Sequence, residues 1–71
     1  MKNKLKILRA MHNLTQEQLA ESLDISRPAL SNIETGESVP GGRLMIRIAN
    51  HFGIPVEQIF FEDDVLLEEH N

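Results

Sequence analysis

The chain of 71 residues contains no cysteine, no tryptophan and no tyrosine, and its only aromatic residues of this kind are three phenylalanines. Without cysteine it can form neither a disulfide nor a thiolate metal site, so a domain this small must depend on helix packing or a partner subunit. No apolar run approaches the roughly 18 residues of a membrane span. Lysines interrupt the apolar residues near the start, unlike a signal peptide. We therefore predict one small cytoplasmic domain with no membrane contact.

Residue types that carry catalysis or bind metals occur without the spacing those functions need. His12, His51 and His70 lie far apart and have no helical His or Cys partner at ligand spacing. The acidic run at 62–64 lacks the alternating Asp/Asn pattern and central Gly of a calcium loop. The Gly-Gly pair at 41–42 has neither the length nor the lysine of a P-loop. The sequence predicts no enzyme, no metal and no cofactor.

The formal net charge is −4, and the acidic residues are unevenly distributed. Residues 1–43 carry six basic and five acidic side chains, a net +1, whereas residues 44–71 carry one and six, a net −5. An acidic balance weakens non-specific attraction to nucleic acid, because counterion release scales with the phosphates neutralised. The net charge by itself argues against a nucleic-acid partner; the concentration of acidic residues in the second part of the chain weakens that objection, and non-specific affinity for DNA should still be low.

Residues 15–36, TQEQLAESLDISRPALSNIETG, have the pattern of two short helices joined by a tight turn. Thr15, with a glutamine three residues later, predicts a capping box at the start of the first helix. The apolar spacing breaks at Asp24, a residue type that tolerates left-handed geometry. Ser26 is the cap expected for the second helix, and Gly36 its stop.

The second helix of this pair has one polar and one apolar face. At about 100° per residue, five polar or small residues fall on one arc, opposite the apolar ones. Short polar side chains with a single charge suit a helix that lies in the DNA major groove. An ordinary solvated helix would more often carry Glu and Lys on its exposed side. Asn32 suits adenine, and Arg27 suits guanine or a phosphate. Pro28 disfavours helical geometry at Arg27, which leaves the cap at either Ser26 or Arg27. The polar arc consists of Arg27, Pro28, Ser31, Asn32 and Thr35.

The segments LTQEQLAESL, ISR and SNIETG resemble the helix-turn-helix of the Cro and phage-repressor family, the lambda-repressor-like DNA-binding domains. The resemblance extends from Leu5 to about Phe60. It implies an all-α fold, a compact domain of five helices over residues 3–61 with the helix-turn-helix at 15–36. An acidic and apolar tail, residues 62–71, follows this domain.

The resemblance also implies roles for individual residues. Gln16 matches a position that contacts a DNA phosphate, and Arg9 is expected to pair with Glu34, which would join the first helix to the third. The alternative for Arg9 is a solvated side chain. Two departures from the family are Asp24, where glycine is usual, and Glu37, where relatives often carry lysine. Together, pattern and resemblance predict these DNA contacts: Thr15, Gln16, Ser26, Arg27, Pro28, Ser31, Asn32 and Arg43.

Three more helices complete the predicted fold. Apolar spacing and Gly or Pro punctuation place them at 3–12, 43–51 and 56–61. Each should turn one apolar face toward a common core. The inward residues are expected to be Leu5, Ile7, Leu8 and Met11, then Leu44, Met45, Ile48 and Phe52, and finally Val56, Ile59 and Phe60.

Four apolar residues follow the point at which a monomeric core is complete: Phe61, Val65, Leu66 and Leu67. A solvated tail is the simple interpretation, since chain ends are often poorly ordered. Three adjacent apolar residues favour an interface instead, and we expect a homodimer built through this end. A two-fold dimer would bind a near-palindromic double-stranded operator with half-site centres about 10 bp apart.

The sequence thus predicts a dimeric, sequence-specific DNA-binding transcriptional regulator, a repressor by its resemblance. A second hypothesis is a protein-binding helix-turn-helix module, antitoxin-like or an anti-repressor, with little DNA affinity. The acidic balance would suit that second function. A steep salt dependence of binding to heparin or mixed DNA is expected only of the first.

Overall fold

Four α-helices enclose the core, and a short strand pair joins the two ends of the described chain. The structure is a computed structural model and describes residues 1–62. Within that range the elements follow in this order: β1 (Lys2–Asn3), α1 (Leu5–Met11), α2 (Gln16–Leu23), α3 (Arg27–Thr35), α4 (Gly42–Phe52), a 3₁₀ turn (Val56–Gln58) and β2 (Phe60–Phe61). None of the helices in this range is long and apolar enough to cross a membrane.

The predicted fifth helix at 56–61 is wrong, although the fold is otherwise helical as expected. Its first half is a single 3₁₀ turn, and its second half is β2, which pairs antiparallel with β1. The amide of Lys4 extends this pairing by donating to the carbonyl of Ile59 at 2.9 Å. A helix this short would have gained little from its own hydrogen bonds, whereas pairing satisfies backbone groups of both segments.

The first helix also begins later than predicted, at Leu5 rather than at residue 3. Asn3 belongs to β1, and its side chain is bonded on both sides. Its Oδ1 accepts from the amide of Leu5 at 3.1 Å, and its Nδ2 donates to the carbonyl of Ile33 at 2.8 Å. One asparagine therefore holds the first amide of α1 and connects it to α3.

The buried core draws on every helix and on the segment around β2. Ile7 and Met11 were expected inside, yet they are 58% and 69% exposed. The four apolar residues of α1 span an arc of about 160°, and the core covers only the side that holds Leu5 and Leu8. Leu44, Met45 and Val56, also expected inside, are half-buried against the core. Its buried members are Leu5, Leu8, Leu19, Ala20, Leu23, Leu30, Ile33, Ile48, Ala49, Phe52, Ile59 and Phe60.

Candidate nucleic-acid interface

The pair α2–α3 is built by local hydrogen bonds at its two helix starts. Thr15 Oγ1 accepts from the amide of Gln18 at 3.0 Å, and Gln18 Oε1 accepts from the amide of Thr15 at 2.9 Å, a complete capping box. Ser26 Oγ accepts from the amide of Ala29 at 3.1 Å. Ser26, and not Arg27, is therefore the cap of α3, and Pro28 lies in the first turn, where its missing N–H costs nothing.

The turn between the two helices uses left-handed backbone geometry. Asp24 ends α2 with φ 60° and ψ 42°. Its amide donates to the carbonyl of Glu21 at 3.1 Å, and the amide of Ile25 donates to the carbonyl of Ala20 at 3.0 Å. Ile25 packs against the core from the turn. These bonds set the angle at which α3 leaves α2.

The outward side of α3 is polar and accessible. Arg27, Pro28, Asn32 and Thr35 are exposed and Ser31 is half-buried, whereas the opposite side holds the buried Leu30 and Ile33. An α-helix with its side chains is about 10–12 Å across, which fits the roughly 12 Å width of the major groove, and the nine residues of α3 give it a length of about 13 Å. The exposed side of α3 therefore has the size and the polar side chains that a major-groove contact would require.

Behind this surface, α1 and α3 are joined by an ion pair between Arg9 and Glu34. Arg9 Nε donates to Glu34 Oε2 at 2.6 Å, and Arg9 Nη2 donates to Glu34 Oε1 at 3.2 Å. The Glu34 side chain is 1% exposed and that of Arg9 17%. Arg9 Nη1 also donates to the carbonyl of Leu14 at 3.0 Å, so the guanidinium connects α1 to α3 and to the segment between α1 and α2. Two-point contact with a buried carboxylate holds α3 in a defined orientation.

Gln16 connects this partly buried ion pair to the exposed surface. Its Nε2 donates to Glu34 Oε1 at 3.0 Å, and its Oε1 accepts from Arg27 Nη1 at 3.3 Å. The side chain at the start of α2 therefore holds the first side chain of α3. Of the residues expected to contact DNA, the structure joins Gln16 to Arg27, and Thr15 and Ser26 precede these two residues as the caps of α2 and α3.

Arg43 lies apart from that network. It is exposed in the first turn of α4, whose cap is Gly41. The hydrogen bonds that join Gln16 to Arg27 and to Glu34 do not include it. Its place beside the surface of α3 thus has no support from the network that orders the other candidates.

Charge around α3 is mixed rather than uniformly basic. Glu17, Glu21 and Asp24 line one shallow depression together with Arg27. Acidic side chains beside a basic one reduce the general attraction to phosphate. Any preference for DNA must therefore come from well-placed contacts rather than from a broad positive field.

Two residues that position these helices were missed by the sequence interpretation. Asn3 donates to the carbonyl of Ile33 on α3, and only its local bond to the amide of Leu5 had a usable signal, an asparagine just before the helix. Arg47 on α4 donates from Nη1 to the carbonyl of Leu23, the last residue of α2, at 2.7 Å. No local pattern announces that bond, because its partner lies 24 residues away.

The residues proposed for a dimer contact are only partly within the described range. Phe61 is 36% exposed and lies opposite Lys2 in the strand pair. It therefore has a role within its own chain as well as an accessible ring. Val65, Leu66 and Leu67 lie outside the described residues.

Two capped helices joined by a tight turn, with a polar outer face on the second, define a helix-turn-helix domain. A helix-turn-helix family model matches residues 5–59. An uncharacterized HTH-type transcriptional regulator of Methanocaldococcus jannaschii is 52% identical over 65 residues, covering 90% of this chain and 98% of that protein. The chain belongs to the Cro/C1-type helix-turn-helix family of DNA-binding transcription regulators.

Two further similarities agree with that membership. The immunity repressor protein of Bacillus phage phi105 is 35% identical over 66 residues, which cover 93% of this chain and 46% of the repressor. The crystal structure of a transcriptional regulator from Listeria innocua superposes with a TM-score of 0.73 at 23% identity, covering 99% of this chain and 74% of that one. The second likeness concerns the fold alone. Family and relatives point to a regulator rather than an enzyme.

Proposed function

We propose that this protein is a sequence-specific transcriptional repressor that inserts α3 into the major groove of an operator. The observation that carries this proposal is the exposed polar side of α3, held from behind by the partly buried ion pair between Arg9 and Glu34. A rigid support matters, because base contacts discriminate only when their geometry is maintained.

Within this proposal, the residues of α3 divide into base and backbone contacts. Asn32 is exposed and suits a bidentate contact with adenine N6 and N7. Arg27 suits guanine O6 and N7, and its bond to Gln16 limits the positions its guanidinium can adopt. Ser31 and Pro28 border the same side and would contact bases or sugars at shorter range.

Phosphate contacts would come from the two helix starts. Thr15 and Ser26 each use their hydroxyl oxygen as an acceptor for a backbone amide, which leaves the hydroxyl proton to donate to phosphate. Gln16 would turn its amide nitrogen from Glu34 toward the DNA backbone, or share it between them. Arg43, exposed in the first turn of α4, is a further candidate for a phosphate contact.

We further propose that two copies bind a near-palindromic operator and repress by occupying it. A nine-residue helix contacts only a few base pairs, so two helices about 34 Å apart would double the length of the site. Phe61, with Val65, Leu66 and Leu67 beyond it, would supply the contact between copies. The name of the phage immunity repressor, a relative over most of this chain, supports repression as the outcome.

Selection of bound sites from random duplexes, with the full chain at moderate salt, tests this function. We expect a near-palindrome with half-site centres about 10 bp apart and a binding constant that falls steeply with salt. A reporter gene carrying the selected site within its promoter should lose expression when the protein is produced. Recovery of random sequences, together with a flat salt dependence on heparin, would favour the protein-binding module instead.

A further inference from the structure

An apolar groove runs between α1 and the end of the described chain. It has a volume of about 600 Å³, and most of its lining surface is apolar. We call it the α1 groove. Its lining residues are Lys4, Ile7, Leu8, Met11, Ile54, Glu57, Gln58 and Phe61.

Three large apolar side chains are exposed together in this groove. Ile7 is 58% exposed, Met11 69% and Phe61 36%. Single exposed apolar residues are ordinary, but several that line one concavity are typical of a surface that another chain segment covers. Of the five large hydrophobic residues most exposed in residues 1–62, only Val39 and Ile46 lie outside it.

We propose that the α1 groove of each copy receives Val65, Leu66 and Leu67 of a second copy, in a reciprocal exchange. This inference rests on the dimer of the proposed function and names its contact surfaces. It assigns a new role to Ile7 and Met11, which contribute nothing to the buried core.

The position of the groove along the chain supports this occupant. Phe61 lines the groove, and only residues 62–64 separate it from Val65. Three residues of extended chain span about 10 Å, so the apolar run begins close to the groove of its own copy. Across a two-fold axis the partner's run begins equally close to it, provided that the axis passes near Phe61.

Shape favours a tail from the partner over direct contact between grooves. In a two-fold interface each patch meets its own equivalent, and two concave patches facing each other would leave a void. A projecting apolar segment fills such a concavity, and Val65–Leu67 is the apolar run nearest to it in the chain. The exchange would place both tails in one continuous interface.

Charge favours the same pairing. Lys4 lines the groove, and Lys6 is an exposed residue of the same helix. The apolar run is flanked by two aspartates, at 63–64, and two glutamates, at 68–69. Glu57, also in the lining, opposes this attraction, so we expect the charged flanks to set direction rather than to dominate affinity.

The absence of cysteine from the chain allows a direct test by disulfide cross-linking. Full-length Met11→Cys and Leu66→Cys proteins are purified separately, mixed in equal amounts and oxidised mildly. A single cysteine per chain cannot cross-link within that chain, so a mixed Met11–Leu66 disulfide, identified by mass spectrometry, requires exchange. We expect this mixed dimer to exceed both homodimers at least fivefold. Glu21→Cys, an exposed position on α2, replaces Met11→Cys as the matched control and should give no excess.

Other products would overturn the inference in different ways. A double Met11→Cys, Leu66→Cys chain that forms only an intramolecular disulfide would show that the groove holds its own tail. A Leu66 homodimer as the main product would show tail-to-tail contact. Mixed dimers in no excess over the Glu21 control would exclude the groove.

Sedimentation equilibrium provides an independent measurement. Wild-type protein at micromolar concentration should sediment as a dimer of 8.1 kDa chains, while Leu66→Asp and Ile7→Asp should each sediment as monomers. A dimer that persists in both variants would refute the exchange. If the mixed Met11–Leu66 disulfide forms but the protein enriches no sequence from random duplexes, the proposed function is refuted and the exchange of tails between copies still holds.

Discussion

The helix-turn-helix at 15–36 and the region formed by α1 and β2 use apolar residues in opposite ways. In the first, the apolar side chains at Leu19, Leu23 and Leu30 are buried and the exposed side is polar. In the second, Ile7 and Met11 stay exposed although the helix that carries them also supplies core residues. The difference teaches that one surface suits a polar, hydrated partner and the other an apolar one.

The two regions also differ in what orders them. The helix starts and the turn of the helix-turn-helix are ordered by bonds between residues three to five positions apart, such as those of Thr15 and Ser26, and Gln16 adds bonds to Arg27 and Glu34, 11 and 18 positions away. The other region depends on bonds between distant segments, such as Lys4 to Ile59. Arg9 and Glu34 connect the two, because they join α1 to α3.

The largest expected effect follows from cutting that connection. Glu34→Ala should lower the free energy of unfolding by about 3 kcal/mol, because it leaves the guanidinium of Arg9 largely buried without its counter-charge. Urea unfolding measures the loss. Arg9→Met combined with Glu34→Leu is the control and should recover much of it, since an apolar pair needs no counter-charge. A loss below about 1 kcal/mol would mean that the pair behaves as a surface ion pair.

A second substitution separates base recognition from positioning within the helix-turn-helix. Asn32→Ala should cost about 1–3 kcal/mol on the selected operator and little on random DNA. Gln16→Ala should weaken binding to both, because it removes the proposed phosphate contact and also releases Arg27 from its bond to Gln16. Titration of labelled duplexes measures both variants. Equal losses for Asn32→Ala on the two DNAs would assign Asn32 to the backbone, and a loss at one base pair would move Gln16 to base recognition.

A smaller effect is expected at the cap of α3. Ser26→Ala should lower the free energy of unfolding by about 1 kcal/mol, because the amide of Ala29 loses its acceptor. Ser22→Ala, at an exposed interior position of α2, is the matched control and should be neutral or slightly stabilising. Thermal unfolding of both variants provides the measurement. Equal stability of the two would show that a water replaces the serine hydroxyl at no cost.

The smallest effect on the single chain should come from the exposed residues of α1. Ile7→Ser and Met11→Ser should each change the monomer's free energy of unfolding by no more than about 0.5 kcal/mol. Unfolding at protein concentrations below dimer dissociation isolates this term. Leu8→Ala, on the buried side of the same helix, should cost about 2 kcal/mol or more. Comparable losses at Ile7 and Leu8 would erase the contrast between the two sides of α1.

Much of the candidate site was predictable because its determinants are close in sequence. The capping box of Thr15, the left-handed Asp24 and the cap at Ser26 each involve residues within one helical turn, where stereochemistry and hydrogen bonding act alone. The apolar face of α3 follows from the helical period in the same way. For these features the amino-acid sequence was sufficient, and it also indicated which side of α3 is exposed.

Tertiary structure decided what depends on distant partners. It placed Asn3 against Ile33, Arg47 against Leu23, and Gln16 between Glu34 and Arg27. It also converted the predicted last helix into a 3₁₀ turn and a strand, because backbone groups near the start of the chain needed partners there. The apolar residues of α1 span more of the helix surface than the core can cover, and tertiary packing determined that the side with Leu5 and Leu8 is buried. Local patterns specify elements, whereas pairing across the fold depends on positions that no short stretch of sequence contains.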